Sequence, residues 1–118
     1  MATTVLIVDD HATFRASARL LLESEGFDVV GEATDGGSAI EQTTSLEPDL
    51  ILLDVQLPDI DGFEVARRVT DSARAPAVIL ISSRDGGDFG PLVKASGARG
   101  FVAKADLSGE SLRALLDA

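Results

Sequence analysis

Pro48-Asp49-Leu50-Ile51-Leu52-Leu53-Asp54 is the stretch on which the fold turns. Pro48 breaks the chain, and Asp49–Leu53 then reads as a nearly all-apolar strand that ends at Asp54. Continuous rather than alternating apolarity marks a strand covered on both faces, as in a parallel sheet. Upstream, Asp35-Gly36-Gly37 is a turn that opens a helix from about Ser38 to Leu46, and Phe27–Ala33 is a strand before it. Gly26 is a C′ residue closing a helix over Ala12 to Glu25, with Phe14, Ala18, Leu21 and Leu22 on one face. Thr4–Val8 begins the series as a strand ending at Asp9.

Downstream the alternation continues. A loop containing Pro58 leads to a helix from about Gly62 to Ala73, with Phe63, Ala66 and Val69 inward. Pro76 precedes the strand Ala77–Ile81, which ends at Ser82. A glycine-rich loop with Asp85-Gly86-Gly87-Asp88, read as mobile, leads to a short helix around Pro91–Ser96 and the strand Gly100–Ala103. Lys104 follows that strand, and a last helix carries Leu112, Leu115 and Leu116. Strict strand–helix alternation predicts one α/β domain over residues 1–118, a doubly wound parallel sheet with helices on both faces.

Composition narrows the function classes. The chain has 118 residues, of which 45% are hydrophobic, enough for one core of ordinary size. It has no cysteine, so disulfides and thiolate metal sites are excluded, and a reducing cytoplasm is the expected location. No apolar run approaches the ~20 residues needed to cross a bilayer. The start, Met1-Ala2-Thr3-Thr4, has no basic segment of the kind that opens a signal peptide. Twenty acidic against ten basic side chains leave a net charge of −10, which argues against direct nucleic-acid binding through a basic face.

The polar residues fall where such a sheet binds ligands, beyond the carboxyl ends of the strands. Asp9 and Asp10 follow strand 1, Asp54 ends strand 3, Ser82 strand 4 and Lys104 strand 5. With strand order 2-1-3-4-5, the switch point between strands 1 and 3 brings three carboxylates into one crevice. Bare, they would repel one another; a hard divalent cation relieves this, and Mg²⁺ suits carboxylates plus phosphate oxygens. The expected site is Asp9, Asp10 and Asp54 with the backbone carbonyl of Gln56. Asp54 then serves as the nucleophile for a phosphoryl group, Lys104 neutralises the transferring oxygens and the Ser82 hydroxyl donates to one of them.

Taken singly, each residue has an ordinary explanation. Asp9-Asp10 is a common turn or N-cap, Asp54 another cap, Ser82 a strand-end serine and Lys104 a solvated lysine. Their joint placement at four strand ends favours chemistry. His11 reads as a partly exposed residue at a helix start. Phe101 reads equally as core or as a switch residue, and the glycine pair at Gly86-Gly87 lacks the Gly-Lys-Ser/Thr ending of a phosphate loop.

The combined pattern resembles the receiver domain of two-component response regulators, across the whole chain. The matching residues are Val8-Asp9-Asp10, Asp54 with Leu57-Pro58-Asp59 and Asp61-Gly62, Ser82-Ser83, and Gly97-Ala98-Arg99-Gly100-Phe101 ahead of Lys104. Gly31-Glu32-Ala33 with Asp35-Gly36 and the Gly97–Phe101 segment look most like the NarL/FixJ, LuxR-type subclass. The resemblance implies a flavodoxin-like (βα)5 fold and Asp54 as the phosphoacceptor. It implies Mg²⁺ on Asp9 and Asp10, Lys104 on the phosphoryl group, and Ser82 and Phe101 as the switch pair. In that account Ser82 moves toward the phosphate, Phe101 turns inward, and the face of helix 4, strand 5 and helix 5 is remodelled. It further implies a sensor histidine kinase as donor, a homodimer on phosphorylation, and a helix-turn-helix DNA-binding domain beyond Ala118. A stand-alone receiver is the alternative.

One departure stands out: Ala105 follows Lys104 where many receivers have a cis proline, which leaves the lysine's geometry open. Competing classes fit less well. A Mg²⁺-dependent aspartyl-phosphate phosphohydrolase needs an acid two residues after its nucleophile, and here that residue is Gln56. A pseudo-receiver would lack one of the acids, the hydroxyl or the lysine, and a flavin domain would carry a Ser/Thr/Gly-rich loop in place of Asp9-Asp10-His11.

Overall fold

The computed structural model describes residues 2–72, 74–83 and 89–117. Among the described residues five strands, β1 (Thr4–Val8), β2 (Asp28–Ala33), β3 (Leu50–Asp54), β4 (Ala77–Ser82) and β5 (Gly100–Ala103), alternate with five helices. These are α1 (Ala12–Ser24), α2 (Gly36–Leu46), α3 (Gly62–Thr70), α4 (Gly90–Ser96) and α5 (Gly109–Leu116), and a 3-10 turn over Lys104–Asp106 joins β5 to α5. Every pairing is parallel, in the order β2-β1-β3-β4-β5 expected from the sequence.

The alternation of side chains along a strand explains why β1, β3 and β4 read as unbroken apolar runs. Leu6, Val8, Ile51, Leu53, Val78 and Leu80 face one layer, packed with Ala39 of α2 and Phe63, Val65, Ala66 and Val69 of α3. Val5, Ile7, Leu50, Leu52, Ile79 and Ile81 face the other, against Ala18 and Leu22 of α1 and Leu112 of α5. Each fully buried aliphatic side chain contributes about 1.5–3 kcal/mol relative to exposure. Two apolar faces pin these strands in register, because a one-residue slip moves every side chain to the wrong layer.

Several element ends differ from the sequence reading, each for a local reason. Helix α1 stops at Ser24, and Gly26 takes φ +90° as the predicted C′ residue. Gly26 N–H donates to the Glu23 carbonyl and Phe27 N–H to that of Leu22, a Schellman closure that keeps Phe27 out of β2 while burying its ring. Helix α2 starts at Gly36 rather than Ser38. Asp35 caps it by accepting from Ser38 N–H at 2.7 Å, while Asp59 accepts from Gly36 N–H at 2.7 Å and Gly37 N–H at 2.9 Å. A carboxylate from a distant loop thus lets two glycines join the helix.

Asp49 lies outside β3 and is bonded instead to Thr4, and α4 begins one residue before Pro91. Helix α3 ends at Thr70, whose hydroxyl donates back to the Ala66 carbonyl and, across the packing, to that of Ser96. The Ala73 end expected for this helix and the Asp85–Asp88 loop lie outside the described residues.

Candidate functional site

The sheet delivers its polar residues to one end. β1, β3, β4 and β5 run in the same direction, so Asp9, Asp54, Ser82 and Lys104 all emerge at their carboxyl ends. Asp9 prolongs the ladder by donating its N–H to the Ala33 carbonyl at 3.0 Å. Its carboxylate is completely buried, Asp54 is 3% exposed and Ser82 is 1% exposed. Buried carboxylates are rare unless paired, so the partners of these two decide what the pocket is.

Lys104 is the counter-charge. Its Nζ lies 2.6 Å from Asp9 Oδ2 and 3.4 Å from Asp54 Oδ2, and 4.4 Å above the centre of the Phe14 ring. The Lys104–Ala105 peptide is trans, as are all peptides among the described residues, so the lysine reaches the carboxylates without a cis bond. Asp54 Oδ1 accepts from Gln56 N–H at 3.1 Å. Asp9 Oδ1 accepts from His11 N–H at 2.7 Å, and Arg15 Nη1 donates to the Asp9 carbonyl at 2.7 Å. Arg15 is itself held by Glu32 of β2 at 3.0 Å.

Gly62 is a packing requirement of this pocket. A Cβ on it would meet the Asp54 carbonyl oxygen at 2.3 Å and the Val55 Cα at 2.8 Å. Its N–H donates to the Val55 carbonyl at 2.8 Å, fastening the start of α3 directly beneath Asp54.

The electrostatics follow from two buried acids and one cation. Burial, together with the charge of Asp9, raises the Asp54 pKa from 3.8 to about 6, although Gln56 N–H and Lys104 pull the other way. Burial also works against the Lys104 ammonium, but Asp9 and Asp54 outweigh it and hold its pKa above the ordinary lysine value. The pocket is therefore short of positive charge.

The donor set fits a divalent cation. Ligand atoms of Asp9, Asp10, His11 and Asp54 all lie within 4.8 Å of one another. Asp9 Oδ2 is buried and has no aligned hydrogen-bond donor among the described residues, only the nearby Lys104 ammonium. Asp10 is exposed, giving an ion a route in from water.

The structure brings together Asp9, Asp10, Asp54 and Lys104. Ser82 sits buried at the end of β4, with Ala103, the residue before Lys104, as its register partner. Phe101 lies apart. It is half-buried against the α3–α4 layer, its ring 5.7 Å from that of Phe89, which is 5.7 Å from that of Phe63. Sequence reasoning missed the Arg15–Glu32 clamp and the Phe14 ring under Lys104; helix spacing places both on α1 but says nothing of what they meet. His11 is at the helix start, as expected, and its ring is 69% exposed, yet its Nδ1 also contacts Asp9 and Asp10.

This fold has known counterparts. The family model described as "Response regulator receiver domain" matches residues 5–117. The chain belongs to the response-regulator receiver family. A transcriptional regulator of Pseudomonas aeruginosa is 40% identical over 110 residues, 93% of this chain and 53% of that protein. The DNA-binding transcriptional activator EvgA of Escherichia coli is 31% identical over 99 residues, 84% of this chain and 48% of EvgA. Among solved structures, a LuxR-family two-component response regulator from Aurantimonas sp. SI85-9A1 superposes with a TM-score of 0.88 at 29% identity, covering 99% of this chain and 84% of that one.

The molecule is accordingly a receiver domain of the response-regulator family, and the relatives it matches are named as transcriptional regulators. It spans about half the length of the curated relatives it matches. No described helix is long and apolar enough to cross a membrane.

Proposed function

We propose that this domain accepts a phosphoryl group on Asp54 from the phosphohistidine of a sensor kinase, in a reaction that requires Mg²⁺ bound by Asp9, Asp10, Asp54 and the Gln56 carbonyl. The observation that carries the reading is the buried Asp54 carboxylate facing Asp9 across a single ammonium. With a pKa of about 6, Asp54 is mostly ionised at neutral pH and so able to attack phosphorus. A new P–O bond forms to the carboxylate while the donor's P–N bond breaks, the electron pair leaving with the imidazole. Bound Mg²⁺ supplies neutralisation of the phosphoryl oxygens and of the crowded carboxylates.

Lys104 begins paired with Asp9 and Asp54 and then shifts its charge toward the transferred phosphoryl group. Ser82, buried one strand over, donates its hydroxyl to the same group. The strand-paired residues Ser82 and Ala103 tie that movement to β5, and through Phe101 to the face of α4, β5 and α5. A groove of about 580 Å³ lies there, lined by Phe101, Ala103, Asp106, Ser111 and Leu115 among others. Couplings of this kind are typically about 1–3 kcal/mol, enough to shift an existing equilibrium.

Residues 1–118 form the receiver unit of a longer cytoplasmic regulator whose helix-turn-helix domain binds DNA, with the receiver dimerising through that face on phosphorylation. The support is the half-length match to DNA-binding relatives. The test of the central step is incubation with acetyl phosphate and Mg²⁺, read by intact mass. One added phosphate is expected for the wild type and none for Asp54→Asn or for wild type with chelator. Full labelling of Asp54→Asn would end the proposal.

A further inference from the structure

Asp9 is gripped by its backbone as well as by its carboxylate. Its N–H donates to the Ala33 carbonyl of β2 at 3.0 Å, and its carbonyl accepts from Arg15 Nη1 at 2.7 Å. The same guanidinium donates from Nε to Glu32 Oε1 at 3.0 Å, and Glu32 is the β2 residue before Ala33. β2 therefore holds Asp9 on both sides, once directly and once through Arg15. The second grip falls on the peptide that joins Asp9 to Asp10, a rigid plane whose orientation sets where both side chains leave the chain. Helix α1 has no side-chain cap at His11 to do this instead. A guanidinium suits the task because its fork reaches a carbonyl and a carboxylate at once, whereas an ammonium is a point charge. Arg15 is only 16% exposed, so water screens these contacts little. Arg19, one turn further on, supplies the contrast. It donates from Nε to Glu32 Oε2 at 2.9 Å and lies 3.6 Å from Glu23, but among the described residues it makes no hydrogen bond to Asp9.

From this we infer that Arg15, held by Glu32, is a positioning residue for phosphoryl transfer: it fixes the Asp9–Asp10 peptide and through it the two carboxylates, without touching the phosphoryl group. The inference rests on the Mg²⁺-dependent reading of the pocket and adds to it the device that keeps two of its acids in place. Charge and position act here with opposite signs. As a charge alone, Arg15 repels a divalent cation, and its removal would tighten Mg²⁺ binding. As a positioning group, its removal loosens the carboxylates and weakens that binding.

The test is a Mg²⁺ titration of the isotopically labelled chain followed by the Asp9 and Asp10 amide resonances, with labelling by acetyl phosphate read by intact mass. Arg15→Ala and Arg15→Lys should each raise the Mg²⁺ concentration at half-saturation about tenfold, slow labelling at limiting Mg²⁺, and move the Asp9 carbonyl carbon resonance of the ion-free protein. Glu32→Gln should raise it about threefold, and adding it to Arg15→Ala should cost nothing more, because both act on one contact. Arg19→Ala, which breaks only the other arm of Glu32, should stay within about twofold of wild type. Tighter or unchanged Mg²⁺ binding in Arg15→Ala overturns the inference. Full recovery in Arg15→Lys also overturns it, since charge and not the fork is then what counts, and so does an equal loss in Arg19→Ala. Should Arg15→Ala fail to fold, the comparison of Glu32→Gln with Arg19→Ala decides by the same rule. A wild type that neither binds Mg²⁺ nor takes up phosphate sinks the receiver mechanism instead. The Asp9 carbonyl resonance, moved by Arg15→Lys and not by Arg19→Ala, then still shows that Arg15 sets this peptide.

Discussion

Asp54 and Asp59 lie on the same short stretch of chain, and the fold treats them in opposite ways. Asp59 is exposed and its two oxygens accept from Gly36 N–H and Gly37 N–H at the start of α2, which with Ile60 N–H holds its pKa down to about 2. Asp54 is buried and faces another acid, so its pKa stands at about 6. One carboxylate is satisfied by its own protein and stabilises the ionised form. The other is left wanting a cation. The difference separates an acid bound into the architecture from the acid that the proposed phosphoryl transfer would use.

The strongest way to break the contrast is to neutralise its reactive half. Asp54→Asn should lose all phosphate labelling while gaining stability. The raised pKa means the native state favours the protonated form, an advantage present at low pH and lost as pH rises through about 6. Above that, the ionised group is a penalty that the amide removes. After allowance for solvent screening, a gain of about 1–2 kcal/mol at pH 7.5 without metal is expected, shrinking toward pH 4. Urea melts of both proteins at the two pH values measure it.

Removing the cation sharpens the same point from the other side. Lys104→Met leaves Asp9 and Asp54 facing each other, and a loss of about 2–4 kcal/mol at pH 7.5 is expected, partly recovered by lowering pH to 5 or by adding Mg²⁺. A loss insensitive to both would mean that the lysine stabilises through its stem against Phe14 rather than through charge. Gly62→Ala places a methyl against the Asp54 carbonyl, costing about 1–3 kcal/mol and moving the acid. Its labelling rate should fall more than that of a control substitution of equal stability cost elsewhere in the core.

The smallest effect belongs to Asp59. A depressed pKa gives stability that is present above the unfolded value near 4 and is lost as pH falls toward 2. Asp59→Ala should therefore melt earlier than wild type at pH 7 and converge with it below pH 2.5, with labelling retained. Loss of labelling equal to that of Asp54→Asn would erase the distinction between the two acids.

Much of this was legible before any coordinates. The unbroken apolar runs at Val5–Val8, Leu50–Leu53 and Val78–Ile81 announced strands buried on both faces, and the strand-end acids, serine and lysine followed from counting. Element ends were less legible where a distant group set them. Nothing near Gly36 says that Asp59 will cap it, and nothing near Thr70 says that Ser96 will offer a carbonyl. The site shows the same division: residue types could be named, but the clamp of Arg15 on the Asp9 carbonyl and the reach of His11 over two carboxylates could not.

What the chain alone determined is the set of charges and the strand–helix alternation that carries them, because apolar periodicity is a local property, whereas the strand order is a property of the assembled sheet. What only the folded molecule decided is the balance among those charges: one ammonium for two buried acids, and an acid drawn off to a helix end. That balance depends on distances of a few ångströms between residues far apart in sequence, and Coulomb energy and desolvation vary steeply on that scale.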